Sequence, residues 1–158
     1  MTRKTPPFAK TLSALLVGLC ASAPAALAQD VYAAPGFTSP SGNITCYIDY
    51  YDSAPQSEAG LVCLIFEANW DIAADGTGNT DPDCALDTTR SVELPRSGAP
   101  RAAEVCHGDV FWPLPMGAIG YGSTWSLFSY TCEMATTGVL CQNGSGGFKL
   151  NRRAFEAF

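Results

Sequence analysis

The sequence predicts a mainly β domain, a small disulfide-stapled sandwich or partly open barrel built of hairpins with little helix. Three observations carry this. Short runs rich in β-branched and aromatic residues recur between clusters of Gly, Pro, Asn and Asp. No segment sustains a helical period of apolar residues. Once an N-terminal leader is set aside, six cysteines remain, an even number.

The leader is read from charge and hydropathy. Arg3, Lys4 and Lys10 precede or open a stretch, residues 11–23, that is almost wholly apolar or small. Pro24 ends it, and Ala26-Leu27-Ala28 supplies the small-x-small pattern of a cleavage site. A signal peptide over residues 1–28, cleaved after Ala28, is expected, with 29–36 a lead-in and 37–158 a single disulfide-bonded domain. A retained membrane anchor is the alternative, but the apolar run is too short and too early broken to span comfortably. Lipidation at Cys20 is disfavoured because Leu19 stands where a small residue is wanted.

Removing this leader takes away one of seven cysteines, three of nine Lys/Arg and none of fifteen Asp/Glu, so the net charge passes from −6 to −9. A body of that charge repels nucleic acid and anionic lipid surfaces. A chain of this size buries about two-thirds of its unfolded surface, so disulfides reinforce a real core.

The elements follow in order. Residues 37–43 are turn chemistry, with Pro40 fixing φ and Gly42-Asn43 tolerating positive φ. Residues 44–51 read as a strand, and Gly60 opens a second over 61–66 whose continuous apolar run marks it as central. Residues 71–90, with Asp71, Asp75, Asp81, Asp83 and Asp87, read as a loop. Residues 91–94 make a short alternating strand, and 102–106 a strand or single helical turn. Residues 110–112 are a short apolar run ended by Pro113, and Gly117, Gly120 and Gly122 mark a flexible connection. Residues 125–134 and 138–142 read as paired strands, 143–147 as a turn, 148–151 as a last strand, and 152–158 as a tail with room for one helical turn.

A hairpin turning at Thr136-Thr137 sets Cys132 opposite Cys141, within bridging distance. Thr131-Cys132 followed by Gly138-Val139-Leu140-Cys141 echoes Thr45-Cys46 followed by Gly60-Leu61-Val62-Cys63, which suggests a second clasped hairpin. Cys84 and Cys106 then remain. The expected pairs are 46–63, 84–106 and 132–141, and such bridges imply an oxidising, periplasmic or secreted location.

Chemistry is sparse. The sole histidine, His107, has Asp109 two residues on and would serve a hydrolase as base, with an unidentified serine as nucleophile. No Gly-x-Ser-x-Gly elbow is present, and every cysteine of the domain is expected to be oxidised. Asn79, Asp81 and Asp83 alternate oxygen ligands as calcium loops do, yet the glycine at position six and the glutamate at position twelve are missing. Zinc lacks thiolates in this compartment. Gly144-Ser145-Gly146-Gly147 has no following Lys-Ser/Thr and cradles no phosphate. Tyr47, Tyr50, Tyr51, Trp70, Trp112, Tyr121 and Trp125 either pack the core or build a recognition face.

Several ordered motifs resemble a family of small secreted bacterial six-cysteine proteins known only as a domain of unknown function. They are Phe37-x-Ser39-Pro40-Ser41-Gly42-Asn43-Ile44-x-Cys46, Cys106-x-Gly108-Asp109, Tyr121-Gly122-x-x-Trp125, Gly138-Val139-x-Cys141-x-Asn143 and Gly147-Phe148-x-Leu150-x-Arg152. The resemblance spans residues 37 to about 155. It implies an exported disulfide-bonded domain and brings no activity. Gly146 stands where that family tends to have histidine, and Asp87-Thr88-Thr89 where it tends to have Asp-Trp-Gly.

The expected function is a non-enzymatic binding or interaction module without cofactor or metal. It would recognise an envelope or extracellular protein, peptide or glycan. An inhibitor of an envelope hydrolase is one concrete version. A hydrolase using His107 and Asp109 is the rival, and a structural envelope component the third class.

Overall fold

A computed structural model describes residues 31–32, 35–49, 59–72, 83–108 and 116–158. Alternation of apolar and polar side chains sets its elements. In β3 (Ile44–Asp49) Ile44, Cys46 and Ile48 are buried while the residues between them are half-exposed, the period of two that a one-sided strand requires. The other strands are β1 (Val31–Tyr32), β2 (Gly36–Thr38), β4 (Gly60–Ile65), β5 (Asp87–Leu94), β6 (Arg101–His107), β7 (Thr124–Leu127), β8 (Tyr130–Ala135), β9 (Gly138–Asn143), β10 (Gly146–Asn151) and β11 (Ala154–Ala157). There is no helix among the described residues.

Strands β2 to β6 pair in chain order as one antiparallel sheet, and β7 to β11 in chain order as another. The two-residue β1 adds to the second sheet, parallel to β7. The sheets stay separate rather than closing into a barrel. Their inner faces share one core cluster, the arrangement of a sandwich.

Each sheet carries the same row of side chains across its strands. In the first, Phe37, Cys46, Cys63, Val92 and Ala102 are successive register partners. In the second, Trp125, Cys132, Cys141, Phe148 and Ala157 are. Both rows therefore read aromatic, cysteine, cysteine, apolar, alanine. The sulfurs are joined as Cys46–Cys63 and Cys132–Cys141. The Sγ atoms of Cys46, Cys63 and Cys141 lie within 4.8 Å of one another, so the two bridges meet across the core. At the start of the rows the rings of Phe37 and Trp125 lie 5.3 Å apart in a tilted arrangement. The third bridge, Cys84–Cys106, lies outside this stack and joins the approach to β5 to the end of β6.

Polar ties close the gap between sheets without leaving buried groups unpaired. The buried Tyr130 hydroxyl donates to the Ala59 carbonyl at 3.0 Å, and Asn143 Nδ2 donates to the Pro95 carbonyl at 2.8 Å. Trp70 Nε1 donates to the Asn151 carbonyl at 3.1 Å, and the Trp70 ring meets both the Arg90 guanidinium and the Phe155 ring. Each such contact removes a desolvation cost of about 1–3 kcal/mol that an unmade buried hydrogen bond would carry.

The mainly β expectation holds, with several local differences. Phe37 and Thr38, read as part of a turn, belong to β2 because β3 pairs with them. Residues 125–134 are two strands, because the chain reverses at Phe128-Ser129 with Phe128 at φ 53°. The tail is β11 rather than a helical turn; Phe155 packs on Phe148 and Trp70, and Phe158 exchanges backbone hydrogen bonds with Gly147. Strand β5 begins at Asp87, inside the stretch read as loop, because β6 supplies a partner for every residue from Asp87 to Glu93. The glycine-rich connection is anchored: Thr38 and Ala118 form a bridge, and Ile119 is buried. The apolar run at 110–112 lies outside the described residues.

Candidate functional site

Three turns and a connection gather at one end of the sandwich. The first turn joins β2 to β3. Gly42 adopts φ 73°, its N–H donates to the Ser39 carbonyl at 2.9 Å, and the Ser39 N–H donates to the Ile44 carbonyl at 2.8 Å. Ser39 Oγ accepts from the Ile44 N–H at 3.0 Å. Asn43 extends the sheet by one rung: its Oδ1 accepts from the Glu67 N–H at 2.7 Å and its Nδ2 donates to the Glu67 carbonyl at 3.0 Å. The amide thus does for the chain leaving β4 what a backbone ladder would do.

The second turn, Thr136-Thr137, joins β8 to β9 and ends at Gly138 with φ 129°. A Cβ at Gly138 would lie 2.4 Å from the Leu150 carbonyl oxygen, so only glycine lets β9 and β10 approach here. The third turn, Arg152-Arg153, joins β10 to β11. Asn151 Oδ1 accepts from the N–H groups of Arg153 at 2.7 Å and Ala154 at 3.1 Å, fixing its shape. The connection bearing Tyr121 is held to β8 by the Gly122 N–H donating to the Met134 carbonyl at 2.7 Å and by the Met134 N–H donating to the Ser123 carbonyl at 3.0 Å.

Between them lies a cleft of about 790 Å³, within the size range of small-ligand sites. Ile44 and Met134, both buried, line it, and the exposed rings of Phe66 and Tyr121 do too. The hydroxyls of Ser41, Thr136 and Thr137 add polar lining. Arg152 is paired with Glu67. Among the described residues the Arg153 guanidinium has no ion-pair or hydrogen-bond partner. Two cations and one anion therefore face this cleft in a chain whose formal charge is −6.

The residues singled out by sequence divide. His107 ends β6, half-buried and away from the cleft lining. Its Nδ1 lies 3.2 Å from the Gly108 carbonyl oxygen and its Nε2 2.8 Å from Thr89 Oγ1. A carbonyl only accepts, so Nδ1 carries the proton, and in the neutral ring Nε2 accepts from the threonine hydroxyl. The hydroxyl on this imidazole thus belongs to a threonine rather than a serine. Asp109 lies outside the described residues, as do Asn79 and Asp81 of the calcium pattern; Asp83 is exposed.

The aromatics make no single face. Trp125 is fully buried, Tyr47 and Trp70 are half-buried, Tyr121 is exposed, and Tyr50, Tyr51 and Trp112 lie outside the described residues. The cluster of Cys46, Cys63 and Cys141 sulfurs offers no thiolate to a metal because each is bonded in a bridge. Among the described residues two groups are held above their ordinary pKa, both away from the cleft. They are Asp49, by burial and then by the nearby Glu93, and Tyr130, chiefly by burial between the sheets.

Sequence reading reached Ser39, Ser41, Gly42, Asn43, Gly138, Tyr121 and Arg152 as members of motifs, without placing them together. It missed Phe66, Glu67, Thr136, Thr137 and Arg153 as site residues. The one available signal was the Arg152-Arg153 pair, two of the six basic residues that follow the expected leader.

A model for a family of unknown function (DUF6636) matches residues 11–158. No curated protein and no solved structure matches the chain.

Proposed function

We propose that this chain, which belongs to the family of unknown function DUF6636, is a non-enzymatic binding module whose recognition site is the cleft between the three turns. The observation that carries the reading is the lining itself. A cleft of about 790 Å³ combines exposed rings, the hydroxyls of Thr136 and Thr137, and a guanidinium, Arg153, that has no partner among the described residues. A concave site that gathers a cation, hydroxyls and aromatic rings offers a ligand charge, hydrogen bonding and apolar contact together.

Three disulfides among the described residues support an oxidising, extracytoplasmic setting. Export by a leader cleaved after Ala28, to the periplasm or the medium, is part of the proposal. Inhibition of an envelope hydrolase is one use such a module serves. The hydrolase reading gains a hydroxyl on His107 from Thr89, but Thr89 is only 9% exposed within the sheet, where a substrate carbonyl has no approach. The cleft is the better-supported site.

Thr137→Trp tests this. Thr137 is exposed at a hairpin tip, so an indole there fills the cleft without disturbing the core. Wild type and variant are screened against one glycan array and one peptide library. Ligands retained by wild type are expected to lose about tenfold or more in affinity, or about 1.4 kcal/mol, with the melting temperature unchanged. Failure of every probe to bind, or binding indifferent to the indole, contradicts the proposal.

A further inference from the structure

We infer that the cleft takes an acidic sugar, a short saccharide bearing a single carboxylate, with Arg153 as its anion anchor and Tyr121 as its stacking surface. This rests on the cleft being the recognition site.

Of the two arginines lining the cleft, Arg152 is neutralised by Glu67, while Arg153 has no partner among the described residues. One free guanidinium matches one carboxylate, which it grips through two parallel N–H···O bonds. The surrounding field decides how much negative charge is tolerated. The whole chain carries −6, and −9 once its leader is gone. A polyanion would gain one contact and meet repulsion everywhere else. A ligand with one negative group and an otherwise neutral body avoids that penalty.

The neutral body is identified by the rest of the lining. The hydroxyls of Thr136 and Thr137 have no side-chain partner among the described residues. Tyr121 is 51% exposed and presents both a ring face and a phenol. Hydroxyls that both donate and accept match the hydroxyls of a sugar. The C–H face of a pyranose packs on an aromatic ring by dispersion and apolar contact. A peptide carboxylate has the same charge, but one common mode of peptide docking adds a strand to a free sheet edge. The Ser39–Asn43, Thr136-Thr137 and Arg152-Arg153 segments lining this cleft are turns, so they offer no such ladder.

The test titrates the processed, fully oxidised protein with three probes. They are a glucuronate-galactose disaccharide, the matching neutral glucose-galactose disaccharide, and acetyl-dialanine with its free carboxylate. Calorimetry gives affinity, and chemical-shift changes report the site. The acidic disaccharide is expected to bind about tenfold or more tighter than the neutral one and than the peptide. Arg153→Ala should bring it down to the neutral level, and Arg153→Lys should recover part of the loss. Tyr121→Ala should weaken both disaccharides, with far-ultraviolet dichroism and melting temperature unchanged in all variants.

Equal affinity for acidic and neutral disaccharide, equal affinity for the peptide, no binding of the acidic disaccharide, or indifference to Arg153→Ala each overturns the inference. A library ligand that lacks a sugar carboxylate yet is displaced by Thr137→Trp would overturn it while leaving the cleft reading standing. Loss of all cleft binding would remove both.

Discussion

Trp125→Ala is expected to lower the free energy of unfolding by about 3–5 kcal/mol. Trp125 is fully buried and opens the inner row of the second sheet, where its ring meets Phe37 of the first at 5.3 Å. Truncation leaves a cavity at the seam between sheets, walled by β-strands that cannot collapse without breaking register with Cys132. Domains of this size have only about 5–15 kcal/mol to lose, so the variant should melt many degrees lower. Urea unfolding followed by tyrosine fluorescence measures it. A loss under about 1 kcal/mol would mean that the seam is not packed as described.

The second large effect discriminates between two causes. In the chain-entropy model the loops closed by Cys132–Cys141, Cys46–Cys63 and Cys84–Cys106, with separations of 9, 17 and 22 residues, contribute about 2.6, 3.1 and 3.4 kcal/mol. Entropy alone thus ranks the outer bridge first, by less than about 1 kcal/mol. Burial ranks it last. Cys46, Cys63, Cys132 and Cys141 are fully buried and their bridges touch, whereas Cys84 and Cys106 are half-exposed. Replacing a buried pair by alanines empties two sulfur-sized spaces in the core, at a cost of about 2 kcal/mol beyond the entropy. The core pairs are therefore expected to lose about 4–5 kcal/mol each when changed to alanine, and the outer pair about 3. Equal losses, or the largest loss for the outer pair, would show that loop closure rather than packing sets their contribution.

How much was legible follows from where the signals lie. β3, β4 and β9 announce themselves because β-branched and apolar residues stand next to turn residues, and Thr136-Thr137 sets Cys132 against Cys141 in a two-residue hairpin. The hairpin at Phe128-Ser129 does not, since an aromatic residue at positive φ carries no turn signal and the flanking residues all favour strand. The start of β5 is polar and half covered, so only its pairing with β6 makes it a strand. β11 depends on partners far back in the chain: Trp70 and Gly147 hold Phe155 and Phe158 in place.

The cleft was legible only in pieces, because its walls are drawn from residues as far apart as Ser39 and Arg153. Local sequence accounts for why each turn is stable. Asn43, Gly138 and Asn151 are largely consumed in shaping those turns. What the cleft offers a ligand comes from other residues, Phe66, Tyr121, Thr136, Thr137 and Arg153. Their chemistry acquires meaning only when the turns are brought together.

The central claim is that two parallel designs, each clasped by its own bridge, face each other through their sulfurs. Peptide mapping of the oxidised protein, digested without reduction, tests it most directly. The account predicts linked peptides for Cys46–Cys63, Cys84–Cys106 and Cys132–Cys141 and no alkylatable thiol at these positions. A bridge joining Cys46 or Cys63 to Cys132 or Cys141, a real competitor given the close approach of the Cys46, Cys63 and Cys141 sulfurs, would contradict it.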